Sequence, residues 1–286
     1  MIQAKVQNQW ERRIRRANEL TSVYPFAAEG LRFYARVAEL QSGLYDEAPR
    51  ALAGAAKASD PLPLREELTN PVLLPGFAHF AASIAKTAPG PVADAAAILA
   101  HASPEEHHLT VEVFLQDGLI AESGGEEEGS LGVGGSRAHE RLLAWLFLQP
   151  FAEYLAERRE PVAVANAPLA CPMCGSNPVV GVLRPEGEGG KKSLVCMLCA
   201  HEWAFRRIYC PACGEEREPQ MGIYAAPEIA HVRVDVCDTC HTYLKTVDLT
   251  KNGLGVPVVD ELAAIPLDLW ASEHGYRKLQ VNLIGA

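Results

Sequence analysis

The sequence predicts an α+β protein, an all-helical N-terminal domain followed by two small β domains held together by metal. Three observations carry this. All eight cysteines fall between 171 and 240, each in a Cys-x-x-Cys pair. The first 170 residues contain no cysteine and read as helical and Ala/Leu-rich. Beyond Ala167-Pro168, helical spacing gives way to short alternating segments. The expected domains are 1–167 (helical), 168–205 (first four-cysteine domain) and 206–286 (second four-cysteine domain plus the C-terminal tail).

In the helical half, Trp10 to Leu20 is a short amphipathic helix. Leu31, Tyr34, Ala35, Ala38 and Leu40 mark a second at mostly three- and four-residue spacing. Pro61, Pro63, Pro71 and Pro75 break the middle into short pieces. Pro91 to His101 is another helix. Ser103-Pro104-Glu105-Glu106 is a helix start, with Ser103 as cap, Pro104 at the first helical position and Glu106 returning a bond to the cap. That helix ends near Asp117-Gly118. Residues 124 to 135, rich in Gly and Glu, read as a mobile surface loop. An apolar helix follows from Ser136 to about Arg159, and Pro150 is expected to bend or split it. Its segment Leu142 to Leu148 belongs to the core.

In the second half, His231 to Val236 alternates as a half-buried strand does. His201 to Tyr209 reads similarly, with Trp203 and Phe205 on one face; Trp203, Phe205 and Tyr209 could stack on bases but are expected to pack beneath a metal site. Tyr243 to Leu249 is a further strand. Gly187-Glu188-Gly189-Gly190 is a hairpin tip. A short helix around Glu261 to Leu269 and an irregular tail complete the chain.

Composition narrows the functional classes. The 286 residues are 48% hydrophobic, in the range of a globular protein with a core. No run reaches the roughly 18 apolar residues of a membrane helix. The net charge of -10 argues against broad phosphate-backbone binding. Arg12-Arg13 and Arg15-Arg16 resemble a twin-arginine export signal only superficially, because Ala17-Asn18-Glu19-Leu20-Thr21-Ser22 is not the apolar stretch such a signal needs. They read as the solvated face of a helix, and the protein is expected in the cytoplasm. No nucleophile elbow, phosphate loop or dinucleotide fingerprint is present. Gly132-Val133-Gly134-Gly135 follows no strand and reads as a linker. Nothing in the sequence supports enzymatic chemistry. His107 and His108, beside Glu105 and Glu106, read as a solvated helix surface.

The cysteines repeat as two units. Cys171-Pro172-Met173-Cys174-Gly175 is matched by Cys210-Pro211-Ala212-Cys213-Gly214. Each is followed by a second pair, Cys196-Met197-Leu198-Cys199 or Cys237-Asp238-Thr239-Cys240. The intervening segments are 21 and 23 residues long, and 10 residues separate the units. Two residues between cysteines let both sulfurs face one ion, and a hairpin of about 20 residues returns a second knuckle to complete a tetrahedron. In a reducing compartment such clusters favour metal over disulfides. Each hairpin closing its own site gives sequential pairing; interleaved pairing satisfies the same spacing. Such S4 sites take zinc or iron, and the Cys-Pro-x-Cys-Gly knuckle occurs in rubredoxin-like iron sites and zinc ribbons alike. A closed four-thiolate shell has no open position for hydrolytic chemistry. His201 and His241 follow complete ligand sets, which leaves them roles beside the sites.

The residues around the knuckles resemble the FdhE family of formate dehydrogenase accessory proteins. The resemblance rests on Cys171 to Val179, on Cys196 to Cys199 with Glu202-Trp203 and Arg207, and above all on Cys237-Asp238-Thr239-Cys240-His241-Thr242-Tyr243-Leu244-Lys245. Asp260-Glu261-Leu262-Ala263, Leu267-Asp268 and Glu273-His274-Gly275-Tyr276 extend it to the tail. A looser match covers Arg16 to Gln41. The resemblance implies two rubredoxin-like metal domains, with iron favoured over zinc. It also implies a chaperone-like role in formate dehydrogenase maturation through binding the catalytic subunit. Two other readings compete. A tandem zinc ribbon could bind nucleic acid, but 11 Lys/Arg against 14 Asp/Glu in 171–286 disfavour it. A rubredoxin-type iron could carry an electron.

Overall fold

The structure, a computed structural model, describes residues 2–53, 64–119, 134–160, 168–187 and 189–283. Of the loop expected at 124–135, residues 124–133 lie outside the described residues, as do Pro61, Pro63 and Ala167. Gly134 and Gly135 already belong to a helix. Two long helices open the chain, α1 (Ile2–Val23) and α2 (Ala28–Ala51), both longer than the sequence pattern marked. Then come α3 (Leu64–Leu68), α4 (Pro75–Ala85), α5 (Gly90–Ala100), α6 (Pro104–Asp117) and α7 (Gly134–Ala156). Among the described residues, no helix is long and apolar enough to cross a membrane.

Contacts divide the chain into two compact units, one of Arg36–Arg159 and one of Met1–Ala35 with Glu160–Ala286. The all-helical unit is built around α7. Leu143 to Leu148 are buried. Phe147 stacks on Phe77 with ring centroids 4.9 Å apart and touches Phe80 and Phe151. The Ser103 capping box forms in full, with Glu106 N donating to Ser103 Oγ at 3.2 Å and Ser103 N to Glu106 Oε2 at 2.7 Å. Gly118 follows α6 at φ 70°, a conformation that favours glycine.

Neither a split at Pro150 nor a solvated His107 is found, each for a physical reason. Pro150 does not split α7, which runs through it as one helix. Proline cannot donate to the carbonyl four residues back, that of Leu146. Gln41 fills the vacancy: its Nε2 donates to Leu146 O at 2.8 Å. His107 is not solvated. It is 4% exposed, its Nε2 lies 2.7 Å from Leu99 O, and its ring packs 5.1 Å from Phe77. His107, Val111 and Phe114 share the buried face of α6 at helical spacing.

Among the described residues, the second unit holds one sheet of seven strands. They are β1 (Pro178–Glu186), β2 (Gly189–Cys196), β3 (Glu202–Ala204), β4 (Met221–Ala225), β5 (Val232–Cys237), β6 (Thr242–Asp248) and β7 (Arg277–Lys278). The order is β3-β2-β1-β6-β5-β4, with β7 beside β6. Each cysteine unit contributes an antiparallel ribbon, and the parallel pairing of β1 with β6 fuses the two ribbons into one sheet. Gly181 permits that fusion, because a Cβ there would collide with the Thr246 hydroxyl. The expected 201–209 strand shortens to Glu202–Ala204, with Trp203 and Phe205 buried as anticipated. The 231–236 strand is not half-solvated: its polar Asp235 is buried and paired with Lys192 at 2.6 Å.

The expected helix at 261–269 is two helices, α8 (Pro257–Ala263) and α9 (Ile265–Glu273). Pro266 lacks the N–H that would continue the first into the second. The tail is partly regular, since β7 pairs parallel with β6. Although it lies within the expected 1–167 domain, α1 packs in this unit, against α8. Arg16 donates from Nε and Nη2 to both carboxylate oxygens of Asp260, at 3.0 and 2.5 Å. The arginine cluster is therefore only half solvated. Arg13 is 4% exposed, its guanidinium 4.6 Å above the Trp10 ring, while Arg12 and Arg15 face water.

Candidate metal centres

The fold gathers the eight thiols into two sets, Cys171, Cys174, Cys196 and Cys199, and Cys210, Cys213, Cys237 and Cys240. The grouping is sequential. Within each set all four sulfurs lie within 4.8 Å of one another. In the first, Cys171 and Cys199 Sγ are 3.6 Å apart and Cys174 and Cys196 Sγ 3.4 Å. In the second, Cys210–Cys240 and Cys213–Cys237 are each 3.7 Å. A tetrahedron with metal–sulfur bonds of about 2.3 Å has edges of about 3.8 Å. These separations are far beyond the roughly 2.05 Å of a disulfide. The donor set and its spacing therefore fit one four-thiolate ion per cluster, and a soft tetrahedral S4 set suits zinc or iron.

The backbone builds each knuckle the same way. Gly175 N donates to Cys171 O at 2.8 Å and Gly214 N to Cys210 O at 3.0 Å. Cys171 N closes onto Ser176 O and Cys210 N onto Glu215 O, both at 2.8 Å. The chain then leaves in the left-handed region, at φ 72° for Gly175 and 76° for Gly214. The second knuckles do the same without glycine: Ala200 has φ 51° and His241 φ 52°. All four knuckles thus end on a left-handed residue immediately after the second cysteine. Amide hydrogens point at the sulfurs, Met173 N at Cys171, Leu198 N at Cys196 and Ala212 N at Cys210, at 3.3–3.4 Å.

The electrostatics call for a cation. Hydrogen bonds from Cys171 and Cys196 pull the Cys174 thiol far below its ordinary range. Burial pushes Cys196 up, and its neighbours push Cys199 up. Burial raises Cys210 as well. Four thiolates held this close to one another repel. A divalent ion offsets that repulsion, so loading releases protons.

The ribbon carrying the second set is anchored by buried charges. Lys245, on β6 and fully buried, donates from Nζ to Glu261 O at 2.6 Å and pairs with the carboxylates of Glu261, at 3.1 Å, and Asp268. Lys278 Nζ lies 2.5 Å from Glu261 Oε1 and 3.1 Å from Asp268 Oδ1. Asn282 and Tyr243 complete the set, donating to Glu261 and Asp268. Lys245, Glu261 and Asp268 all lie in the motifs that carried the family resemblance, but the sequence pattern did not reveal that they meet. A lysine between Tyr243 and Val247, on the same face of the strand, was the available signal. His201 stacks on Trp203, whose Nε1 donates to Pro168 O at 3.1 Å; His241 is exposed, its ring 6.2 Å from Tyr276.

Comparison with known proteins addresses the same region. Residues 170–207 match the family model described as "FdhE, central domain", and residues 208–284 that of "FdhE, C-terminal domain". The crystal structure of the FdhE protein from Pseudomonas aeruginosa superposes with a TM-score of 0.70 at 25% identity, covering 98% of this chain and 96% of that one. Residues 170–284 thus carry a likeness to the FdhE family that takes in all eight cysteines. A protein FdhE homolog of Aquifex aeolicus is 34% identical over 116 residues, 40% of this chain and 41% of that protein. One from Shewanella oneidensis is 35% identical over 132 residues, 46% and 43% of the two chains. The matched stretches thus span less than half the length of these curated relatives. The structural likeness extends through the helical half as well.

Proposed function

We propose that the chain is a non-catalytic accessory factor that helps formate dehydrogenase mature in the cytoplasm by binding its catalytic subunit. The observation that carries this reading is the unbroken FdhE match from 170 to 284, which takes in both metal sites and the motifs around them. The chemistry of the sites is compatible with it. In this reading Cys171, Cys174, Cys196 and Cys199 hold one ion and Cys210, Cys213, Cys237 and Cys240 a second, iron rather than zinc. A closed tetrathiolate shell supplies no Lewis-acid position, so the ions stabilise a surface instead of activating water. The -10 charge leaves a nucleic-acid role without its usual electrostatic support.

Affinity purification of the tagged chain from its native cell tests the proposal. Recovery of the formate dehydrogenase catalytic subunit supports it. Recovery of ribosomes or nucleic acid alone overturns it in favour of a ribbon that binds nucleic acid.

A further inference from the structure

The two clusters share ligands, knuckle geometry and fold, but not cover. In the first, Cys171, Cys174, Cys196 and Cys199 are all buried, at 3, 7, 1 and 3% exposure. Met197 and Leu198, between its last two ligands, are buried as well, and so is Ser176, whose Oγ lies 3.3 Å from Cys174 Sγ. In the second, Cys213 is exposed and Cys240 half-buried. The corresponding residues between ligands, Asp238 and Thr239, face water. Where the first cluster has buried Ser176, the second has Glu215, whose carboxylate accepts from Thr239 Oγ1 at 2.7 Å and pairs with Arg217 at 2.6 Å. The knuckles of the second cluster are therefore joined by a surface hydrogen bond instead of being packed over.

Replacing a ligand on a four-coordinate ion requires the incoming donor to reach the metal, as thiol exchange requires access to sulfur. Buried ligands forbid that approach short of local unfolding, whereas an exposed one admits it. We propose that the second centre is the one that exchanges ligands, with Cys213 as the leaving thiolate and an external thiolate as the entering donor, while the first centre is a permanent staple. One metal–sulfur bond breaks and one forms. The oxidation state of the ion does not change, and the released Cys213 sulfur takes a proton from water. This rests on the reading of both clusters as metal sites.

The test loads the full chain with cobalt(II), whose thiolate absorption reports the ligand set, and adds excess dimercaptosuccinate as the thiolate donor. The expected result is two phases of one equivalent each, differing by about tenfold or more, the faster one depending on dithiol concentration. Cys213→Ser should remove the fast phase and leave the slow one. Should that variant misfold, brief iodoacetamide labelling of the native metal-loaded chain replaces it, with Cys213 and Cys240 modified before the first four cysteines. Release of both ions at one rate, or earlier modification of Cys171 to Cys199, overturns the inference. A chain that never binds two cobalt ions overturns the metal reading instead.

Discussion

Replacing Lys245 with methionine should destabilise the β unit by about 3–5 kcal/mol, the cost of removing one partner from a buried ion pair. The structure shows why. Lys245 and Lys278 face Glu261 and Asp268, four charges with side chains no more than 5% exposed. One ammonium–carboxylate contact near 3 Å is on the order of 5 kcal/mol at an effective dielectric of 20. Methionine fills the volume but leaves two buried carboxylates on one cation. Lys278 softens the loss. Burial pushes its amine down, Glu261 opposes that, and Lys245 adds to the lowering, so Lys278 holds its proton more firmly once Lys245 is gone. The lower end of the range is therefore expected, a fall in melting temperature of about 6–12 °C.

The pH dependence has a definite sign. In the wild type, burial tends to raise Glu261, but attraction to Lys245 and Lys278 outweighs it and holds its carboxyl below the ordinary 4.5. The stability Glu261 contributes is present above that value and lost as pH falls through the depressed one. In Lys245→Met the attraction that lowers Glu261 is weakened, so the deficit should shrink as pH falls from neutral toward the ordinary carboxylate range. Thermal and guanidinium unfolding of metal-loaded protein would measure both effects. A loss below about 1 kcal/mol, or a deficit that grows on acidification, would refute the reasoning.

Two further substitutions probe local arguments. Gln41→Leu should cost about 1–3 kcal/mol by orphaning the Leu146 carbonyl, and much less in a Pro150→Ala background, where the new amide can take that bond itself. Equal costs in both backgrounds would show that Gln41 does not serve that carbonyl. Ala200→Gly should stabilise the first ribbon by about 0.5–1 kcal/mol, because relief of the left-handed strain exceeds the added freedom of the unfolded chain. Destabilisation in denaturant melts would contradict the backbone geometry at the knuckle.

The cysteine spacing was legible because ligand geometry is local: two residues between thiols and a hairpin between pairs leave little freedom. The Ser103 cap and the antiparallel pairing of β1 with β2 were legible for the same reason, although Glu188 of the expected tip lies outside the described residues. What the sequence pattern missed depends on distant partners. Pro150 looks like a helix breaker until Gln41, 109 positions earlier, supplies the missing donor. Arg16 looks solvated until Asp260 appears across 244 positions. The fusion of the two ribbons needs a parallel pairing of β1 with β6, which no turn signal announces. Ala200 and His241 hide their left-handed geometry because glycine, the usual marker, is absent.

Metal content with an optical spectrum, measured on protein purified natively and without added ions, tests the two-centre account most directly. The account predicts about two ions per chain with thiolate-to-metal absorption if the ion is iron, falling by one in Cys174→Ser and by one in Cys213→Ser. Fewer than one ion per chain, or content unchanged by either substitution, would contradict it.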